Sequence, residues 1–208
     1  STIKGEGKSF VSHNLALSYS ALGKKVILIG GDLRNPQLHK FLDIKRENTG
    51  LTTYLSNEDF NDVDFLITKA EIPDGLDYLL TGAIPPNPSE LLMRPRTKEI
   101  LDILKQRYDY IIIDSAPLLL VSDTAAILPL CDSVVYVTRS QYSEKKLFSF
   151  ILDMQQREDI PPFAMVLNGL RAGANNGYNY GYKYRYSYGY TYNYGYGYGY
   201  GSDEDTES

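Results

Sequence analysis

Gly5-Glu6-Gly7-Lys8-Ser9 is the most informative segment of this 208-residue chain. Its order of glycines, lysine and a hydroxyl residue is the core of a Walker A phosphate loop. Glycine lets the backbone approach phosphate oxygens, and successive N–H groups then converge at the positive end of the following helix. The lysine of such a loop reaches the β- and γ-phosphates, and the serine hydroxyl binds Mg²⁺. The motif therefore predicts nucleotide binding, with Thr2 in the usual place of a leading glycine.

A second motif lies about a hundred residues further along, where Tyr110-Ile111-Ile112-Ile113-Asp114 forms an apolar run that ends in a carboxylate. This is the Walker B arrangement, in which the acid binds Mg²⁺, usually through water, because Mg²⁺ keeps part of its hydration shell. Any strand can end in an aspartate, so the motif has little weight alone. Together with the phosphate loop, it predicts a nucleotide and metal site.

A third motif follows the apolar run at 26–29, which leads through Gly30 and Gly31 to Asp32 and Arg34. Asp32 could hold Mg²⁺ or accept the proton of an attacking hydroxyl. The alternative is a turn with a surface salt bridge, which the segment favours when it is taken alone.

The pattern of residues 1–171 alternates between short apolar runs and helical periodicity, which predicts an α/β domain with a parallel sheet and helices on both faces. Such sheets bind ligands at the carboxyl ends of their strands. A phosphate loop normally follows a buried strand, so we expect this chain to be part of a longer protein with that strand upstream. We predict helices over 9–22, 89–92, 97–108, 124–130 and 143–157, and strands over 26–29, 76–80, 110–113, 134–138 and 163–167.

Residues 172–208 are of low complexity and form a second region, which we predict to be disordered with some tendency to self-associate. Tyrosine occupies every even position from Tyr178 to Tyr200, and six glycines between Gly181 and Gly201 disfavour a stable strand. The twelve tyrosines are Tyr178, Tyr180, Tyr182, Tyr184, Tyr186, Tyr188, Tyr190, Tyr192, Tyr194, Tyr196, Tyr198 and Tyr200.

Composition excludes some classes of protein. The net charge of −5 argues against a nucleic-acid partner, because binding phosphate backbones requires a basic surface. No apolar run approaches the ~20 residues that span a bilayer. One cysteine, Cys131, rules out an intrachain disulfide and is compatible with a reducing compartment.

The three motifs in this order resemble those of the bacterial tyrosine kinase family, whose fold is the P-loop NTPase fold of MinD and ParA. Residues 80–92, Leu-Thr-Gly-Ala-Ile-Pro-Pro-Asn-Pro-Ser-Glu-Leu-Leu, look like the family's Gly-x-x-Pro-Pro-Asn-Pro-x-Glu-Leu-Leu segment. Asp114-Ser115-Ala116-Pro117, followed by Ser122-Asp123, is similar to the family's pattern after Walker B. A C-terminal tyrosine cluster completes the resemblance, which covers nearly all of residues 1–171.

The resemblance implies an ATP- and Mg²⁺-dependent tyrosine autokinase whose phosphoacceptors are the tail tyrosines. Lys8, Asp32 and Asp114 would be catalytic, and the metal would lie at Ser9, Asp32 and Asp114. Asp123 would support the metal or phosphate region. The nucleotide would contact Gly5, Glu6, Gly7, Lys8, Ser9, Phe10, Arg139 and Asn168, the last two near its base.

The resemblance also implies partners and a location. These are neighbouring copies in a ring, a transmembrane activator and a cognate tyrosine phosphatase, at the cytoplasmic face of the bacterial inner membrane. The pathway would be export and polymerisation of polysaccharide. Two family features are not present: Gly30 stands where the family usually has the first Asp of its Asp-x-Asp motif, and the ring-forming Glu-x-x-Arg-x-x-Arg helix would precede Ser1.

Two other functions are compatible with the motifs. A MinD- or ParA-type ATPase switch has the same fold, but such proteins usually carry a lysine five residues before the invariant one, where this chain has Ile3. The other is a nucleotide-binding scaffold without catalysis, whose aromatic tail is adhesive through ring stacking.

Overall fold

The computed structural model describes residues 1–45, 47–70, 75–118, 123–157 and 160–170. The predicted tail, 172–208, lies outside the described residues. The helices are α1 (Lys8–Ala21), α2 (Leu51–Ser56), α3 (Pro88–Leu92), α4 (Pro95–Lys105), α5 (Asp123–Ile127) and α6 (Phe148–Gln155). The strands are β1 (Val26–Gly30), β2 (Ile67–Lys69), β3 (Leu76–Leu79), β4 (Tyr110–Asp114), β5 (Val134–Arg139) and β6 (Phe163–Asn168).

The strands form two sheets. The first, called the central sheet, has the order β2-β3-β1-β4, and the second, called the side sheet, pairs β5 with β6. Strands β3 and β4 run parallel to β1, and β6 runs parallel to β5, which confirms the predicted parallel α/β fold. The prediction did not include β2, which pairs antiparallel with β3 at one edge of the sheet. Strand β2 has only three residues, which is too short for a pattern of apolar and polar residues to predict it.

Strand β1 explains why helices cover both faces of the central sheet. All five of its residues are buried, and alternate side chains point to opposite faces of a strand. Val26 and Leu28 pack with Ala16 of α1 on one face. Ile27 and Ile29 pack on the other face with residues of α2, α3 and α4. The continuous apolar run of β1 is therefore that of a central parallel strand.

A groove lies between β4 of the central sheet and β5 of the side sheet. Its cavity measures about 700 Å³ and is lined by apolar side chains of both strands, among them Ile111, Ile113, Val134 and Val137. One edge of β4 pairs with β1. Within the described residues, no strand pairs with both β4 and β5. The single sheet that the sequence predicts is therefore divided in two.

Most predicted helices and strands are present within a few residues of their expected bounds, but the last helix begins later than predicted. Position 143 was expected to start it, whereas α6 starts at Phe148. The preceding residues form a tight turn instead, because the carbonyl of Arg139 accepts hydrogen bonds from the N–H groups of Tyr142 (3.2 Å) and Ser143 (2.9 Å). A 3₁₀ turn, Lys145–Leu147, then leads into the helix. Among the described residues, no helix has both the length and the apolar character needed to cross a bilayer.

Candidate active site

The phosphate loop bends back on itself before α1 begins at Lys8. Gly5 and Gly7 have φ angles of 89° and 94°, in the left-handed region that favours glycine. The Gly7 carbonyl accepts the N–H of Val11 at 2.9 Å and so joins the loop to the first turn of the helix. The motif thus has the loop-to-helix geometry that its sequence predicts.

Lys8 lies close enough to three carboxylates to interact with them electrostatically. Burial lowers the pKa of the Lys8 ammonium, while the charges of Asp114, Asp32 and Glu6 oppose that shift. Asp114 ends β4, and Asp32 follows the end of β1, the strand beside it. The fold therefore brings Lys8, Asp32 and Asp114 together, as the three sequence motifs predict.

Asp114 is buried, with 4% of the residue exposed, whereas Asp32 is only partly buried. Desolvation raises the pKa of its carboxyl group to about 6, although hydrogen bonds from the Ser9 and Ser12 hydroxyls and the charge of Lys8 act in the opposite direction. Ser12 is a site residue that the sequence motifs missed. It lies three positions after Ser9 on α1, and this helical spacing could have placed both hydroxyls on one face.

Asp32 is held by the backbone of its own loop. Its Oδ1 atom accepts the N–H of Asn35 at 2.9 Å and the N–H of Arg34 at 3.2 Å. These bonds form a turn that fixes the carboxylate at the carboxyl end of β1. Asp32 thus forms a turn with its own side chain and also lies at the position predicted for the site.

Asp123 has partners that the sequence did not reveal. Its fully buried carboxylate accepts hydrogen bonds from Arg34 Nε at 2.7 Å and Nη2 at 3.1 Å, and from the Ser89 hydroxyl. Burial acts to raise the pKa of Asp123, but the hydrogen bonds from Arg34 and Ser89 outweigh it and hold that pKa below its usual value. Asp123 therefore joins the turn at Asp32 to α3, because it pairs with Arg34 of that turn and with Ser89 of the helix.

Gly30 has a local structural reason for lacking a side chain. A Cβ atom at this position would lie 2.6 Å from the Thr81 hydroxyl oxygen and 3.0 Å from the Thr81 nitrogen. That hydroxyl donates to the Gly30 carbonyl at 2.8 Å. Thr81 therefore takes the space that a carboxylate at position 30 would need.

Arg139 and Asn168 end the two strands of the side sheet, and the structure places both on the phosphate loop. Arg139 Nη1 donates to the Gly5 carbonyl at 2.9 Å, and Asn168 Nδ2 donates to the Glu6 carbonyl at 3.0 Å. Their predicted place near a nucleotide base stays a prediction. Phe10 follows the loop on α1 with 55% of the residue exposed, and its predicted nucleotide contact also stays a prediction.

The fold and the loop define the class of protein. Residues 3–159 match the family model described as an AAA domain, so the chain belongs to this family of nucleotide-binding domains. At the level of fold alone, the chain is similar to the septum site-determining protein MinD of Pyrococcus horikoshii, with a TM-score of 0.63 at 20% identity over 80% of this chain and 67% of that one.

More specific similarity identifies the branch of that class. The chain resembles the solved kinase domain of Escherichia coli tyrosine kinase ETK with a TM-score of 0.75 and 31% identity, over 87% of this chain and 69% of that one. It is 34% identical over 142 residues to the tyrosine-protein kinase CpsD of Streptococcus pneumoniae, or 68% of this chain and 61% of CpsD. The chain therefore belongs to the bacterial tyrosine kinase family.

The chain corresponds to part of its longer relatives. It is 35% identical over 174 residues to the complete E. coli kinase, which is 83% of this chain but 23% of that protein. The chain thus spans less than a quarter of that relative's length.

Proposed function

We propose that this chain is the catalytic region of an ATP-dependent protein-tyrosine kinase that phosphorylates its own C-terminal tyrosines. The observation that carries the proposal is the meeting of Lys8, Asp32 and Asp114 at the carboxyl ends of β1 and β4, beside the phosphate loop. Family membership supports the same reaction, and Tyr178 to Tyr200 supply acceptor hydroxyls.

The residues at this site fit ATP and Mg²⁺. Lys8 is a cation at the loop, where it would contact the β- and γ-phosphates. Ser9 and Asp114 are already paired as hydroxyl and carboxylate, which are oxygen ligands suited to Mg²⁺, and Asp32 lies on the adjacent strand end. A bound Mg²⁺ would neutralise phosphate charge. Phosphoryl transfer depends mainly on such positioning and charge neutralisation.

The transfer itself requires one proton acceptor. A tyrosine oxygen would form a bond to the γ-phosphorus while the bond to the bridging oxygen breaks and ADP leaves. Tyrosine has an ordinary pKa of about 10, so its hydroxyl proton must leave during the reaction. Asp32, held by two backbone N–H groups, would orient the hydroxyl and accept that proton.

The tail would be phosphorylated by a neighbouring copy of the chain. A flexible chain of about 30 residues has a typical end-to-end distance of roughly 30 Å, so a tail that is disordered, as its composition predicts, would reach another active site. Each phosphate adds about −1.5 to −2 charges, and repulsion between modified tails would dissociate a ring-shaped oligomer. A cognate phosphatase would restore the ring.

The setting of this cycle would be the cytoplasmic face of the bacterial inner membrane, where a transmembrane activator holds the kinase. Its output would be control of polysaccharide export and polymerisation. Equal oligomer size for phosphorylated and unphosphorylated protein would overturn the ring model.

The first experiment tests catalysis. Purified protein is incubated with Mg-ATP and probed for phosphotyrosine, beside the Lys8→Met variant and a variant that ends at residue 171. We expect tail labelling that Lys8→Met and tail deletion both abolish. ATP hydrolysis without tyrosine labelling would support a MinD- or ParA-type switch. Absence of both activities would support the adhesive scaffold.

A mixing experiment tests transfer between copies. The Lys8→Met chain keeps its tail but lacks the loop lysine, while the tail-deleted chain keeps the lysine. We expect the mixture to label the Lys8→Met chain, because the tail-deleted chain supplies the active site. Labelling of wild type but not of the mixture would show transfer within one chain.

A further inference from the structure

Three successive carbonyl groups of the phosphate loop are held by side chains from the side sheet and the turn after β5. Tyr142 donates its hydroxyl hydrogen to the Lys4 carbonyl at 3.0 Å. The Gly5 and Glu6 carbonyls accept from Arg139 and Asn168 at 2.9 and 3.0 Å. Each carbonyl of this run therefore has its own donor, and all three donors come from the carboxyl ends of β5 and β6.

Because the peptide bond is planar, these contacts also fix the direction of the N–H groups in the same peptide units. In a trans peptide, the N–H of the next residue points away from the carbonyl of the same unit. The N–H groups of Gly5, Glu6 and Gly7 therefore point away from the side sheet. Within the part of the chain that the structure describes, no acceptor pairs with these three N–H groups. They are available to an anion on the far side of the loop.

Glu6 stabilises the loop through its side chain, which accepts hydrogen bonds from residues of the loop itself. Its side chain is fully buried, and Oε2 accepts the N–H of Thr2 at 2.8 Å and of Ile3 at 3.0 Å. Oε1 accepts the Ser143 hydroxyl hydrogen, so the carboxylate also joins the loop to the turn after β5. This use of Glu6 as an internal acceptor is distinct from its predicted contact with the nucleotide.

The glycines of the loop make room for these contacts. A Cβ atom on Gly5 would lie 2.7 Å from the Tyr142 hydroxyl oxygen, and one on Gly7 would lie 2.1 Å from Asn168 Nδ2. Both positions also have left-handed φ angles. Glycine is therefore required here by the backbone conformation and by the side chains that hold the carbonyls.

We propose that Arg139, Tyr142, Ser143 and Asn168, here called the brace, are positioning residues that set the phosphate loop in its anion-binding form before ATP arrives. The importance of the brace for the kinase reaction rests on the proposed function. The brace acts through the loop backbone. Its loss would therefore raise the Kd and KM for ATP, while kcat at saturating ATP changes little.

The test uses two changes that each remove a hydroxyl from the full chain. Tyr142→Phe removes the donor to Lys4, and Ser143→Ala removes the donor to Glu6. We expect each change to raise the Kd for Mg-ATP, measured by calorimetry, about fivefold, which is the typical worth of one hydrogen bond. Ser143→Thr restores a hydroxyl and is expected to restore binding.

A second measurement follows the loop without nucleotide. Trypsin cleaves after lysine, and the bond between Lys4 and Gly5 carries the carbonyl that Tyr142 holds. We expect the double variant Tyr142→Phe/Ser143→Ala to be cleaved at this bond at least several times faster than wild type, because local opening governs cleavage. Mass spectrometry measures the cleavage at this bond.

Tyr108→Phe is the matched control, because it also deletes a tyrosine hydroxyl that donates a hydrogen bond, at 2.6 Å to Asp77. The control is expected to keep wild-type Mg-ATP affinity and cleavage at Lys4. The brace is wrong if the double variant matches wild type in both measurements, or if Tyr108→Phe changes them as much. Failure of wild type to bind Mg-ATP would overturn the proposed function, and cleavage at Lys4 would still decide whether the brace holds the loop.

Discussion

The central sheet and the side sheet both end at the phosphate loop, but they are built differently. In the central sheet, Leu28 of β1 is completely buried, whereas Leu167 of β6 in the side sheet is 51% exposed. The central sheet carries the acids Asp32 and Asp114, while the side sheet ends at residues that hold the loop backbone. The two carboxylates thus lie on the more deeply buried central sheet, and the loop backbone is held by the more exposed side sheet.

This contrast separates stability from nucleotide affinity. Burial of apolar surface contributes about 25 cal/mol per Å², so the central sheet supplies more of the free energy of folding. Substitutions in the side sheet are expected to have smaller effects on unfolding and larger effects on the loop.

The largest effect is expected for truncating a leucine in the central sheet. Leu28→Ala should lower the free energy of unfolding by about 2–5 kcal/mol, because it leaves a cavity in the core. Leu167→Ala deletes the same atoms from the side sheet and should change it by less than about 0.5 kcal/mol. Urea unfolding of both variants measures the difference. Similar losses in the two sheets would contradict the contrast.

The next-largest effect is expected for adding a carboxylate at position 30, the last residue of β1. Gly30→Asp should lower the free energy of unfolding by about 1–3 kcal/mol, because its side chain overlaps Thr81. Adding Thr81→Ala should recover part of that loss. A double-mutant cycle, with Thr81→Ala alone as control, measures the coupling. Strictly additive effects would show that Thr81 does not exclude a side chain at position 30.

A third prediction concerns the groove between the sheets. Five apolar β-branched residues fused ahead of Ser1 could pair with β4 and β5 and cover the partly buried Ile111 and Ile113. We expect a gain of about 2 kcal/mol in the free energy of unfolding, the worth of burying one large apolar side chain. A Gly/Ser extension of equal length is the control. Equal stability of the two fusions would contradict pairing in the groove.

The smallest effect is expected for the ion pair between Arg34 and Asp123. Arg34→Ala should lower the free energy of unfolding by about 1 kcal/mol, because the buried Asp123 carboxylate loses its cation while Arg34 itself is half-exposed. Lys98→Ala breaks the exposed pair with Asp102 and should cost about 0.3 kcal/mol. Urea unfolding at neutral pH compares the two.

The same pair has a pH dependence with a definite sign. Hydrogen bonds from Arg34 and Ser89 outweigh desolvation and lower the folded-state pKa of Asp123 below 3.8. Its stabilising contribution is therefore present above pH 3.8 and is lost as the pH falls through the lower folded-state value. The difference between wild type and Arg34→Ala should shrink in acid, and a difference independent of pH would show that the ion pair is not its cause.

The features that could be predicted from the amino-acid sequence are those that depend on neighbours along the chain. The glycine spacing in Gly5-Glu6-Gly7-Lys8-Ser9 predicted the loop and the start of α1, and the apolar runs before Asp32 and Asp114 predicted two buried strands of a parallel sheet. These features need only local backbone geometry and the alternation of apolar and polar residues. The tyrosine tail, outside the described residues, stays a prediction from composition.

Contacts between residues far apart in the chain are seen only in the folded molecule. Arg34 pairs with Asp123 across 89 positions, and Arg139 reaches Gly5 across 134. The division into two sheets and the start of α6 at Phe148 also depend on such contacts. No local pattern encodes them, because hydrogen bonds between distant side chains and backbone form only after the strands have been placed side by side. Five residues of sequence thus predicted the phosphate loop, whereas the side-chain contacts that hold its carbonyl groups were found only in the tertiary structure.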